Sequence, residues 1–211
     1  MDKFERDLES LMDKLKPSLD ELTLKRLIEL KERLVKLHRE QLVKINHSVM
    51  ELLCAADLLA KGYSVTLEHP LDGSLTCDIY GYKGEGSFII EVETGFVPPE
   101  HALDPLGYRK ARIASKIVRY GNYATKFGLA SPPYHIMQIP EVLVKPPKYR
   151  SETEVWEIKS LCDRYYRNPP VTIDEIMNTR LHVIYLVNVD EAQITEVDPV
   201  TYIERYLHVN L

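Results

Sequence analysis

Two glutamates stand two residues apart inside an apolar run, Ile89-Ile90-Glu91-Val92-Glu93. If that run is a strand, its side chains alternate, so Glu91 and Glu93 share one face and Ile90 and Val92 take the other. Two carboxylates aimed the same way out of an apolar strand repel each other. Buried, such a pair is costly without a cation or a shared proton. Asp78, in Leu75-Thr76-Cys77-Asp78-Ile79-Tyr80, and Glu51, further upstream, are carboxylates that can join them. A cluster of oxygen ligands suits Mg²⁺ or Mn²⁺ rather than zinc. Such an ion polarises a phosphoryl oxygen and acidifies an attacking water. Two other readings stand beside this one. The glutamates could lie on the solvent face of an edge strand, or form a carboxylate pair for glycoside hydrolysis, although no cluster of sugar-stacking aromatics accompanies them.

The elements that must position these residues follow from periodicity. Residues 1–61 read as helix: Phe4, Leu8, Leu11, Met12 and Leu15 keep a 3–4 spacing, broken at Lys16-Pro17-Ser18. Ser18 and Glu21 are spaced as a capping box for a second helix, with Leu24, Leu27, Ile28, Leu34 and Leu37 on its apolar stripe. This hairpin either packs on its own domain or serves as a dimerisation arm. A more apolar helix spans Val43 to Lys61 and stops at Gly62. The pattern then becomes strand-like over 63–68, 75–82 and 87–94, with turns at Asp72-Gly73 and Gly84-Glu85-Gly86. Connections this short predict an antiparallel meander, which brings Asp78 across from Glu91. Beyond it the sequence predicts a helix over 107–126, a strand from Tyr134 to Val144, and a helix from Ser151 to Tyr166 with a Ser151/Glu154 capping box. A short helix (172–179), a strand (Leu181 to Val189) and a last helix (199–207) follow.

The 107–126 helix carries a second pattern. Arg109, Arg112, Lys116, Arg119, Tyr123 and Lys126 recur at steps of three and four and so fall on one helical face. No Asp or Glu occurs between residues 105 and 140. Such a face can hold a phosphate backbone through salt-dependent contacts that read no bases; it can equally be a solvated face. The net charge of -5 conceals this block, which follows directly on the acidic stretch containing Asp78, Glu91 and Glu93.

These residues together resemble the PD-(D/E)-x-K nuclease superfamily, nearest to the archaeal Holliday-junction resolvases, over about residues 45–130. The points of similarity are a helix bearing Glu51, Gly62-Tyr63 leading into a strand, Asp78 after a short turn, Glu91 in the next strand, and a basic helix after it. The resemblance implies an α/β fold with a restriction-endonuclease-like core, a mixed sheet flanked by helices. Residues 1–44 and 150–211 lie outside the resemblance; the domain organisation expected for the whole chain is an N-terminal helical extension (1–44) followed by this α/β domain (45–211). It implies a Mg²⁺- or Mn²⁺-dependent nuclease that hydrolyses DNA phosphodiester bonds. Asp78 and Glu91 hold the metal, Glu93 adds a ligand or orients water, and Glu51 supports the metal from behind. Glu93 occupies the place of the motif lysine, whose role then falls to Lys116 or Lys110. Arg109, Arg112, Lys116, Arg119 and Lys126 hold duplex or branched DNA. The alternative is a non-catalytic nucleic-acid-binding or assembly protein on a degenerate nuclease fold. Where the N-terminal helices serve as a dimerisation arm, either reading would involve a homodimer formed through them.

Composition sets the remaining bounds. At 211 residues with 45% apolar side chains, the chain can bury a core without staples. Cys54, Cys77 and Cys162 are too few and too scattered for a disulfide framework or a structural zinc site. No signal-peptide pattern opens the sequence and no apolar run is long enough to span a bilayer, so a reducing, cytoplasmic setting is expected.

Overall fold

The structure is a computed structural model and describes residues 2–43 and 45–207. Residues 1, 44 and 208–211 lie outside it, so the expected helical extension (1–44), the helix expected from Val43 and the end of the expected 45–211 domain fall partly on them. The elements run α1 (Lys3–Leu15), α2 (Glu21–Arg39), α3 (Ile45–Ala60), β1 (Ser64–Asp72), β2 (Leu75–Lys83), β3 (Gly86–Val92), α4 (Pro105–Gly121), β4 (Lys126–Ser131), α5 (Glu152–Tyr165), α6 (Ile173–Asn178), β5 (Val183–Asn188), β6 (Gln193–Val197) and α7 (Pro199–Tyr206). One open sheet has the order β1-β2-β3-β4-β5-β6. β1, β2 and β3 form the expected antiparallel meander, β3, β4 and β5 run parallel, and β6 returns antiparallel. The fold is therefore α/β, a mixed sheet with helices on both faces.

Two cores explain the layering. Phe88, Ile90 and Val92 pack with α1, α2 and α3 on one face. Ile89 packs on the other face with Phe127, Leu129 and the buried sides of α4 and α5. The apolar stripe of α1 (Phe4, Leu8, Leu11, Met12, Leu15) is buried inside the first core. A dimer through these helices would have to use the polar faces that remain.

Several expectations are corrected. The helix expected over 107–126 ends at Gly121, and Lys126 opens β4, which was not foreseen. β4 is a short central parallel strand buried on both faces, so it shows no alternation. The strand expected over 134–144 is absent. Pro132, Pro133 and Pro140 cannot donate to a ladder, and Met137, Ile139, Val142 and Leu143 are buried in loop and 3₁₀ turns instead. β6 was also missed. α2 is capped by Asp20, which accepts from the Thr23 amide at 3.0 Å, rather than by Ser18, whose hydroxyl donates to Leu15 O at 2.8 Å in the Pro17 turn. The Ser151/Glu154 capping box forms as expected.

A candidate metal centre between two splayed strands

The ladder between β2 and β3 ends at the Ile79–Ile90 pair. Beyond it the strands part, and two carboxylates fill the gap reciprocally. Glu91 Oε1 accepts the Asp78 amide at 2.9 Å, and Asp78 Oδ2 accepts the Val92 amide at 2.6 Å. Cys77 belongs to one core and Ile79 to the other, so side-chain alternation fails at Asp78. On β1, between the residues paired with Ile79 and Cys77, Glu68 takes a left-handed conformation (φ 47°) that non-glycine residues rarely adopt. The opening admits side chains from both helical layers, Glu51 from α3 and Lys116 from α4.

A cavity of 310 Å³ results, lined by His47, Glu51, Glu68, Asp78, Glu91 and Lys116, with Arg112, Arg119, Tyr120 and Tyr166 around them. Glu91 and Glu51 are each 1% exposed. Lys116 Nζ lies 3.2 Å from Glu91 Oε2 and 3.7 Å from Asp78 Oδ2, and donates to Val92 O at 2.6 Å. One helical turn away Arg112 Nε donates to Glu93 Oε2 at 2.6 Å, and the Gly95 amide donates to Glu93 Oε1 at 2.9 Å. The two ion pairs match because four residues of helix advance about 6 Å and two residues of strand advance about 6.6 Å.

Charge is unbalanced at this centre. Burial and the neighbouring Asp78 push the Glu91 carboxyl up to about 8, against the pull of Lys116. Burial, then Asp78, Glu68 and Glu91, hold Glu51 well above the usual carboxylate range. Burial alone would depress Lys116, but Glu91, Asp78 and Glu93 outweigh it and hold the ammonium above its ordinary value. Burial likewise opposes ionisation of Glu93, yet Lys116 and Arg112 prevail and lower it. So Glu93 is a settled carboxylate, while Glu51 and Glu91 tend to keep a proton.

Glu51 Oε2 is buried and meets no hydrogen-bond donor among the described residues. His47, Glu51 and Asp78 each bring a ligand atom to within 4.8 Å of the others. An undonated carboxylate oxygen among further carboxylates fits a hard divalent cation, whose coordination would satisfy it and displace the protons.

The expected residues divide accordingly. Glu51, Asp78, Glu91 and Lys116 come together. Glu93 does not line the cavity; it is held by Arg112 and Gly95. Lys110 lies on the exposed side of α4, away from the cavity. The basic face does not simply meet solvent: Arg112 and Lys116 turn inward to the carboxylates, and Arg119 donates to Pro169 O at 2.6 Å. Lys126, on β4, sits over the Phe88 ring. In the sequence His47 can join the site, although a capping or core role is the commoner reading for such a histidine; Glu68 was missed as a member of the cluster. His47 is one turn before Glu51, a spacing visible in the sequence, whereas nothing local marks Glu68.

Gly95 fixes one side of this arrangement. Its φ is +79°, and a Cβ there would sit 2.4 Å from the His135 ring. Gly95→Ala is expected to lower stability by about 2–3 kcal/mol, from strain plus overpacking. Gly73→Ala (φ +54°, with nothing within 4 Å) should cost only about 1 kcal/mol. Thermal denaturation of both variants checks this; equal losses would remove the claim that His135 is packed on Gly95.

No family model matches this chain, and no curated protein matches it. Among solved structures, it is similar to a CdiA-CT/CdiI toxin and immunity complex from Burkholderia pseudomallei at 16% identity and a TM-score of 0.28, covering 73% of this chain and 86% of that one.

Proposed function

We propose that this protein is a divalent-metal-dependent nuclease that hydrolyses DNA phosphodiester bonds at the Glu51–Asp78–Glu91–Lys116 cluster. The observation that carries the reading is the position of Lys116. The PD-(D/E)-x-K pattern wants an ammonium beside its Asp and Glu, and the sequence has Glu93 at that place. Lys116 reaches the same two carboxylates from α4, at 3.7 and 3.2 Å. The orphaned oxygen of Glu51 supports the metal requirement.

Asp78, Glu91 and Glu51, with His47 beside them, would hold Mg²⁺ or Mn²⁺. Bound there, the ion supplies Lewis-acid polarisation of the phosphoryl oxygen and a more acidic water. Lys116 keeps its proton and stabilises charge that develops on the phosphoryl oxygens, a role preorganised by the Val92 carbonyl. Glu93 fixes Arg112 at the cavity wall, where its charge favours a phosphate. Low side-chain exposure at Asp78 and Glu91 keeps the site in a low-dielectric setting, where each of these charges counts for more.

Cleavage of supercoiled plasmid and of branched DNA with Mg²⁺ or Mn²⁺ tests this. Wild type should cut, and the Asp78→Ala/Glu91→Ala double variant should fall by at least about a thousandfold. If the two are indistinguishable, the enzyme reading fails. DNA binding retained by that inert pair would then favour the non-catalytic assembly protein.

A further inference from the structure

A second cavity, of 430 Å³, adjoins the Glu93–Arg112 pair. It is lined by Gly95, Arg109, Tyr134, His135, Ile136 and Gln138, together with Thr94. Among the described residues, Arg109 is its permanently charged group and no carboxylate lines it. Arg112, Lys116 and Arg119 each find an acceptor, whereas Arg109 makes no hydrogen bond or ion pair among the described residues and its Nε is buried without one. A larger groove of 1160 Å³, whose lining includes Lys3 and Lys14 as well as Asp7 and Asp190, shares Thr94, Gly95 and Tyr134 with this cavity, so the two are continuous. Phe96 lines that groove too. Tyr134 is 87% exposed and Phe96 65%.

Phe96 leaves the end of β3 and Tyr134 the end of β4, neighbouring parallel strands. The carboxyl ends of parallel strands are where open α/β sheets place ligands. The turn bearing Tyr134 is braced: the His135 amide donates to Pro132 O at 3.0 Å, and the His135 ring packs on Gly95. A guanidinium without a hydrogen-bond partner among the described residues, beside exposed aromatic rings, is an arrangement that binds single-stranded nucleic acid. The cation takes a phosphate, and each ring offers a face to an unstacked base. A duplex keeps its bases stacked inside and could use only the cation.

We propose that this groove binds an unpaired strand, with Arg109 on a backbone phosphate and Tyr134 and Phe96 stacked on bases. Resting on the nuclease reading, the strand continues past the Glu93–Arg112 pair into the metal cavity. Arg109 and Lys116 are seven residues apart on α4, about 10 Å along its axis, so both can serve one strand. The substrate class is then single-stranded nucleic acid, or branched DNA entered through a single-stranded arm.

The test is fluorescence anisotropy in EDTA, where no cutting occurs. Full-length protein is titrated against a labelled thymidine oligomer, the matching blunt duplex and a uridine oligomer. The thymidine oligomer should bind more tightly than the duplex, and the uridine oligomer tells whether a 2′-hydroxyl is accepted. Tyr134→Ala should weaken oligomer binding about tenfold. Arg109→Gln should weaken it and reduce the slope of log affinity against log salt by about 0.7. Tyr134 is exposed, so its variant will fold; circular dichroism checks the Arg109 variant. A preference for duplex, or unchanged binding by both variants, overturns the subsite. The Asp78→Ala/Glu91→Ala protein separates the two readings. If wild type and this variant bind the oligomer through Tyr134 and wild type cuts nothing, the nuclease reading falls and the subsite stands. If wild type cuts and the groove variants bind and cut as it does, the subsite falls alone.

Discussion

Lys116→Met is expected to lower the stability of the metal-free protein at pH 8 by about 3–5 kcal/mol, the cost of removing one partner from a buried ion pair. For a chain of this size that is a fall of about 10 °C in Tm. Methionine keeps the length and apolar packing of the lysine stem, so the loss reports the ammonium and not a cavity. The ammonium is 3.2 Å from Glu91 and 3.7 Å from Asp78, and Val92 O loses its donor at 2.6 Å. The effect carries a pH signature. Glu91 is ordinarily a carboxyl near 4.5 and is raised to about 8 in the fold, by burial and by Asp78. Below about 4.5 it is protonated both folded and unfolded, and its charge costs nothing. As pH rises towards 8 the unfolded chain gives up its proton first, so stability falls across that window. Lys116 opposes the rise in Glu91, and removing it carries the fall on past pH 8. The penalty should therefore be smaller at pH 5 than at pH 8 and should grow further above it. Cleavage should drop by a factor of about 10²–10³, typical of losing one group that stabilises transition-state charge. Denaturant melts at the two pH values decide it. A penalty that is absent at pH 8, or larger at pH 5, contradicts the role given to Lys116.

Glu51→Gln is expected to move stability in the opposite direction. Glu51 is 1% exposed, has a carboxylate oxygen without a donor among the described residues, and is held above the usual range by burial and by Asp78, Glu68 and Glu91. Glutamine removes the charge that the fold disfavours. At pH 8 the metal-free variant should be more stable than wild type by about 1–3 kcal/mol, the scale of an unsatisfied buried polar group. The gain should vanish near pH 4.5, where both forms are neutral. Adding Mn²⁺ should reverse the order, because an ion that binds the folded state raises the wild-type Tm and finds a weaker site in the variant. The wild-type shift should itself grow as pH rises towards 8, since protons on Glu51 and Glu91 must leave before an ion can bind. Differential scanning fluorimetry with and without Mn²⁺ measures all of this. A less stable variant at pH 8, or equal Mn²⁺ shifts in both proteins, would show that Glu51 is merely a buried structural carboxyl. The trade of stability for a charged, strained centre is what a binding site costs its fold.

Much of the scaffold was legible in the sequence because it is locally determined. The meander follows from two tight turns between short alternating runs. α5 follows from the Ser151/Glu154 box, which forms with both of its reciprocal hydrogen bonds. α1 follows from a stripe whose five members are all buried. β4 was not legible: a central parallel strand has no polar face to reveal its period, and Lys126 reads as one more turn of helix. β6 is mostly exposed and polar, so no apolar period marked it.

The centre itself shows the same division. Its residue types and spacing, with Glu91 and Glu93 on one strand face and Arg112 and Lys116 on one helix face, were set by periodicities of two and 3.6. What those faces meet was not. A run of cations at helical spacing looks the same whether it faces phosphates or the protein's own carboxylates. Packing of α4 on β3 turned Arg112 and Lys116 inward, left Arg109 without a hydrogen-bond partner among the described residues, and gave Glu93 to Arg112. The parting of β2 and β3 at Asp78, with Glu68 twisted opposite, admitted Glu51 and Lys116 from opposite layers into one cavity. Local sequence determines which side of an element a residue occupies. Only the docking of elements decides what stands across from it, because that choice is made by contacts between residues far apart along the chain.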